Sequence, residues 1–341
     1  MTSSSVAFVY VGLASEAMGP EGHGLYRRAV SGGEWELATR GLPENPLIRN
    51  IAIDPQDPSI IYAGVQDGAY RSEDRGDHWD RLDLPGDPVT VWSVTFHPND
   101  AKVIFVGGEE TTLRRSEDGG KSWDLIPISA TFPSVTMTPK VLAKRILGVA
   151  VDPNLPDEIY ASIEVGGLLR SRNGGESWEG VSEGYYHNDD SVDCHGVLVS
   201  SVHPRHVSVI ARAGLFRSSD GGDHWSWGNI KRIGARGTYT RVIREVPGDP
   251  STLYLGTGPQ FRGDHGELLR SHDYGESWEL VDMGIIPDCT LFGVSINPRD
   301  ASQIYCATRH AQVLGSHDAG QTWFDCSLPE ELSEVNTLAV G

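Results

Sequence analysis

Ser72-Glu73-Asp74-Arg75-Gly76-Asp77-His78-Trp79 decides the fold, because the chain repeats it. It returns as Ser116-Glu117-Asp118-Gly119-Gly120-Lys121-Ser122-Trp123 and as Ser171-Arg172-Asn173-Gly174-Gly175-Glu176-Ser177-Trp178. Further copies start at Ser218, Ser271 and Ser316 and end at Trp225, Trp278 and Trp323. A worn copy, Ser31-Gly32-Gly33-Glu34-Trp35, keeps glycine and tryptophan but has Val30 where the acid belongs. Seven of the nine tryptophans fall on this lattice, spaced 44, 44, 55, 47, 53 and 45 residues apart. A period of that length marks a repeat architecture. The octapeptide has the chemistry of a tight hairpin. An Asp or Asn oxygen accepts nearby backbone N–H groups, Gly supplies positive φ, Ser joins the network, and Trp anchors the following strand. Asp74, Asp118, Asn173, Asp220, Asp273 and Asp318 therefore read as structural residues.

Two further units recur between the boxes. One is an alternating strand ending at a proline turn, as in Asn50-Ile51-Ala52-Ile53-Asp54-Pro55 and Gly148-Val149-Ala150-Val151-Asp152-Pro153. The other is a short apolar strand, as in Ile61-Tyr62-Ala63-Gly64 and Ile304-Tyr305-Cys306-Ala307. Each repeat thus reads strand A, proline turn, strand B, loop, strand C, box, then strand D carrying Trp. Four short strands repeated seven times predict an all-β, seven-bladed propeller. The expected blades are 5–39, 49–83, 91–127, 146–182, 195–229, 240–282 and 290–327, all in one domain spanning 1–341. The first repeat lacks a strand A, and Asn336-Thr337-Leu338-Ala339-Val340-Gly341 aligns with Arg49-Asn50-Ile51-Ala52-Ile53-Asp54. The segment 335–341 is expected to complete the first blade and close the ring, leaving no open sheet edge there.

Composition limits the partners. With 28 Lys+Arg against 47 Asp+Glu, the 341 residues carry a net charge of −19. That balance excludes a broad phosphate-binding surface, so no nucleic-acid partner is expected. No apolar run approaches the roughly 18 residues of a spanning helix, so no membrane partner is expected either. The four cysteines, Cys194, Cys289, Cys306 and Cys326, show no metal-ligand spacing and fit a reducing compartment. The apolar stretch Val6 to Leu13 lacks a basic region before it and reads as a strand, which places the protein in the cytoplasm.

The Ser-x-Asp-x-Gly-x-x-Trp box resembles the Asp-box, or bacterial neuraminidase repeat, over the whole chain. That repeat occurs in sialidases, sortilin-type receptors, xyloglucan-cleaving glycosidases and photosystem II assembly factors. The resemblance implies the repeat class and no single activity, since such boxes sit on the far side of the blades from the usual binding face. Sialidases have six blades and hold a carboxylate with three arginines. Seven repeats and the lack of an Arg-Ile-Pro segment before the first box set this chain apart from them. The blade count is more similar to the assembly factors, or to half of a xyloglucanase.

In a propeller the B–C and D–A loops share one face, and five histidines fall there: His23, His187, His195, His265 and His310. The densest cluster is the loop Tyr185 to His195, where His187, Asp193 and His195 have the donor types of a divalent metal site. A solvated acidic loop is the competing reading. His195 opens a strand A beside the channel and is a catalytic candidate. Glu109 and Glu164 take the same position after strand B in neighbouring blades, as an acid/base pair for glycoside cleavage would. Gln66 and Arg309 occupy that position in two other blades. Arg49, Arg145 and Arg241, at the start of strand A, join Arg309 as holders of an anionic substrate, with His265, His310 and Tyr239 nearby. Mutual pairing of these charges is the alternative. Long loops contributing Glu16, Glu21, Lys140, Lys144, Gln260 and Arg262 are expected to wall a pocket over the channel.

The expectation is a hydrolase or lyase acting on a small polar, anionic or carbohydrate-like substrate at the channel mouth. A divalent metal is the only cofactor the residues suggest. The alternative is a non-catalytic binding or assembly propeller with a protein partner; a sialidase-type glycoside hydrolase ranks last.

Overall fold

A computed structural model describes residues 6–15, 22–132, 143–228 and 237–341. Its strands form seven four-stranded antiparallel sheets arranged as the blades of a ring. The first blade takes its innermost strand from the chain's far end: Val335–Val340, then Phe8–Ala14, His23–Ala29 and Glu36–Leu37. Val9 lies opposite Val340 and Leu13 opposite Val335, so the last strand closes the ring. The other blades occupy residues 50–81, 91–126, 145–180, 194–227, 239–280 and 291–325. Among the described residues no helix is long and apolar enough to cross a membrane.

The box folds as its chemistry requires. Ser72 Oγ donates to Asp74 Oδ1 at 2.8 Å and accepts from the Gly76 N–H at 2.8 Å. Asp74 Oδ1 also accepts from the His78 N–H at 2.9 Å. Asn173 does the same work without a charge, accepting from Ser171 Oγ and the Ser177 N–H, each at 3.0 Å. One expectation needs correction: the tryptophan precedes strand D and does not lie on it. Trp79 ends the turn before Asp80–Arg81, with its ring in the gap between blades. Its indole N–H donates to the Ala38 carbonyl of the preceding blade at 2.9 Å. Trp225 likewise reaches Val181 of the blade before it, at 2.8 Å.

The core is divided among the gaps between blades. Around Trp79 it gathers Tyr10, Leu25 and Ala339 from the first blade with Ile51, Ile61 and Tyr70 from the second. Face-to-face packing leaves little room where the blades converge on the channel. A Cβ on Gly64 would lie 2.6 Å from the Val91 carbonyl oxygen of the next blade, so the inner end of that strand B must be bare. All four cysteines are buried and unpaired.

Candidate functional site

The innermost strands share a distortion at their first turn into the channel. The pairing of flanking residues skips Trp92, Leu147, His195, Arg241, Phe292 and Asn336, one in each of six blades. Each is a β-bulge, which re-aims a side chain at the rim of a sheet. Arg49 takes that place in the remaining blade, the second in chain order, its N–H bonded to Gly64 O at 2.8 Å beside the Asn50–Gly64 pair. These seven side chains form a collar. All line a chamber of about 360 Å³ within the channel, and Arg49, Trp92, His195, Arg241 and Asn336 also line a wider mouth of about 1120 Å³.

The mouth collects most of the residues expected there: Arg49, Arg145, Glu164, Asp193, His195, Tyr239, Arg241 and Arg309. Aromatic rings organise the arginines. The Arg49 and Arg145 guanidiniums each lie 4.4 Å from the Trp92 ring centroid, and those of Arg241 and Arg309 lie 5.0 and 4.8 Å from that of Phe292. Ring quadrupoles thus hold together cations that would otherwise repel. Arg145 also pairs with Glu164 at 3.0 Å and with Glu109 at 3.5 Å. Arg309 pairs with Glu334 at 2.6 Å, and burial lowers its affinity for its proton, to about 10. Mutual pairing therefore accounts for Arg145 and Arg309. Arg241 has no carboxylate within ion-pair distance among the described residues.

One carboxyl in the mouth is set apart. Asp193 is buried, and no hydrogen-bond partner reaches its Oδ1. Burial first, and the charge of Glu164 second, push its pKa up to about 7, against the opposing pull of Arg241 and Arg212. Its other oxygen lies 3.9 Å from His195 Nε2. His195 Nδ1 faces the Thr240 carbonyl at 2.7 Å, which fixes the proton on Nδ1 and leaves Nε2 as the basic nitrogen. Burial, with Arg241 and Arg212 beside it, takes His195 well below the ordinary histidine value, so the ring is neutral at pH 7. An acid near neutrality and a neutral imidazole thus share one cavity wall, an arrangement suited to moving protons.

Comparison with known proteins bears on the fold. No family model matches the chain. It is 24% identical over 335 residues to the photosystem II assembly lipoprotein Ycf48 of Synechococcus sp. (strain CC9902), covering 86% of this chain and 89% of that protein. A GH74 enzyme from Niastella koreensis superposes with a TM-score of 0.63 at 17% identity, over 82% of this chain and 45% of that one. The structure of Ycf48 bound to D1 peptide gives 0.55 at 18% identity, over 84% and 83%. The chain is a seven-bladed propeller similar to both groups, and spans less than half the length of that GH74 chain.

Several expected site residues stand elsewhere. The metal trio does not converge: His187 is exposed, stacked on Trp227, and its Nε2 accepts the indole N–H at 2.9 Å. Among the described residues no group of three His, Cys, Asp or Glu is placed to hold a metal ion. His265 and His310 are exposed and line neither cavity. Glu109 also lies off the mouth, its carboxylate taken by Arg145 and by the Trp92 indole N–H at 3.3 Å. Glu16, Glu21 and Lys140 fall outside the described residues. The sequence reading missed Trp92, Phe292, Phe261, Arg212 and Asn336. Arg212 follows strand B as Glu109, Glu164 and Arg309 do, its N–H on Asp193 O at 3.0 Å, so blade alignment was the signal for it.

Proposed function

We propose that the propeller is an enzyme of the hydrolase or lyase class acting on a small anionic or carbohydrate-like substrate seated in the mouth. The observation that carries this reading is the buried Asp193, with one oxygen unpartnered and the other facing His195 Nε2, in a cavity rimmed by arginines. Six arginines line the mouth against four carboxyl groups, in a chain whose net charge is −19. That local inversion favours an anionic group. Arg241 and Arg212 are the proposed holders of that group. Asp193 gives or takes the proton at the scissile bond, and His195 Nε2 takes the proton of an attacking water or of the carbon being deprotonated. Glu164 and Glu109 keep Arg145 and Trp92 in place. The octapeptides are proposed to be Asp-box repeats in the family sense, serving the scaffold alone.

A second reading rests on the likeness to Ycf48 across most of both chains: a non-catalytic pocket for an anionic peptide segment. Asp193→Asn and His195→Ala, assayed on glycosides, esters and lactones that carry a carboxylate, separate the two. Loss of at least a hundredfold in kcat/KM in both variants supports the enzyme. The enzyme reading fails if the panel shows no turnover while a peptide with a free carboxyl end binds and its amidated form does not.

A further inference from the structure

Below the collar the channel holds a second feature, built around Arg244, which does not reach the mouth. Arg49, Arg241 and Arg244 line the inner chamber, and no Asp or Glu does among the described residues. Arg244 is the key to it. One of its terminal nitrogens donates to the carbonyl of the adjacent Ile243 at 2.9 Å, which pins the guanidinium. Its remaining donors have no protein acceptor, and no carboxylate lies within ion-pair distance of it among the described residues. Its side chain is open to solvent within the channel. Arg241, three residues earlier on the same strand, is held over Phe292 at the top of the chamber.

A guanidinium does not lose its proton near neutral pH, so it cannot relieve this crowding by discharging. The protein supplies carboxylates freely elsewhere, including beside Arg145 and Arg309. Leaving them out of the chamber alone concentrates positive potential in a walled space. The volume of about 360 Å³ is roughly that of a dozen waters at ~30 Å³ each, enough for a compact anion that keeps part of its hydration. Asn50, Thr95 and Thr337 add polar groups to the lining beside the arginines.

We infer that the chamber beneath the collar, which shares Arg241 with the mouth above it, is an anion site of its own that takes a small oxyanion of two or more negative charges. Arg244 is its fixed donor and Arg241 its upper wall. The occupant bridges the innermost strands and stiffens the ring from inside. Free inorganic phosphate or sulfate and the polycarboxylate citrate share the required chemistry.

Inorganic phosphate, sulfate and citrate are titrated against the full-length protein, with sodium chloride at matched ionic strength as the reference. Calorimetry and thermal denaturation are the readouts. A saturable rise in Tm with phosphate, absent with chloride, is expected, and competition by citrate or sulfate ranks the occupants. Arg244→Gln weakens phosphate binding at least tenfold, the scale of one lost charge-assisted hydrogen bond. Thr95→Glu, which places a carboxylate in the chamber wall, has the same effect, and keeps the inference testable should Arg244→Gln not fold. Arg262→Gln, which removes a cation from the mouth alone, binds phosphate as the parent does. A response no larger than that of chloride overturns the inference. So does undiminished binding in Arg244→Gln or, where that variant does not fold, in Thr95→Glu. Loss of binding in Arg262→Gln would place the anion in the mouth and equally overturn it. Because turnover is not read, failure here leaves the proposed reaction standing.

Discussion

Asp193 carries a cost that its proposed role explains. Its pKa of about 7 stands against an ordinary 3.8, so the folded state prefers the protonated acid. The sign follows from linkage: stability contributed below pH 4 is lost as pH rises toward 7, by on the order of 4 kcal/mol at most. Asp193→Asn removes the group that must ionise. Urea denaturation of the variant is therefore expected to show higher stability than the parent at pH 8 and little difference at pH 4. A difference that is the same at both pH values would show that the buried charge is not the cause. A residue that weakens the fold at working pH and is kept in a cavity is the pattern of a functional site. The sequence placed Asp193 in the right loop but gave it the wrong partner. His187 and His195 are close along the chain, yet the turn through Ser191 and Val192 buries one end and leaves the other on the surface.

At the scale of elements, the Ser–Asp–Gly turn of the box was legible because its chemistry is local. The hydrogen bonds of its Ser and Asp side chains span four residues or fewer, so spacing alone specifies that turn, while the indole bond of Trp79 reaches the preceding blade. The collar was half legible. Arg49, His195 and Arg241 were found because the repeat lattice sets the phase of each innermost strand. The bulges were not, since an extra residue in a strand leaves no mark on an alternating pattern. What marks the collar is variety: the strands around it repeat while Arg, Trp, Leu, His, Arg, Phe and Asn follow one another at one position. The box also makes a prediction. The Thr322 hydroxyl, and next its N–H, hold Asp318 down to about 2, and Asp74, Asp118, Asp220 and Asp273 are lowered too. Such groups stabilise above pH 4, and that contribution fades as pH falls toward 2. Asn173 shows that an amide fills the same place. Asp318→Asn is expected to fold normally and to move the midpoint of acid unfolding, followed by circular dichroism, to lower pH. An unchanged midpoint would mean that acid attacks the ring elsewhere.

For the whole molecule, one pairing holds the ends of the circle together. The gaps between blades share out the core, so a break at any gap exposes two faces at once. Val335, Leu338 and Val340 are buried between the last blade and the first, with Val9, Val11, Leu13 and Tyr305 around them. Without that strand, Phe8–Ala14 becomes an open edge facing the channel, and the collar loses Asn336, whose amide donates to the Arg49 carbonyl at 2.7 Å. Open edges recruit other chains. Removing residues 335–341 is therefore expected to abolish cooperative thermal unfolding and to yield aggregates in size-exclusion chromatography. A synthetic peptide of residues 333–341 added to the freshly refolded truncated chain should restore the transition in a concentration-dependent way, since the strand contributes without a covalent link to the first blade. A truncated protein that melts as the parent does would show that the gaps the strand does not enter suffice and that closure serves only to shape the mouth.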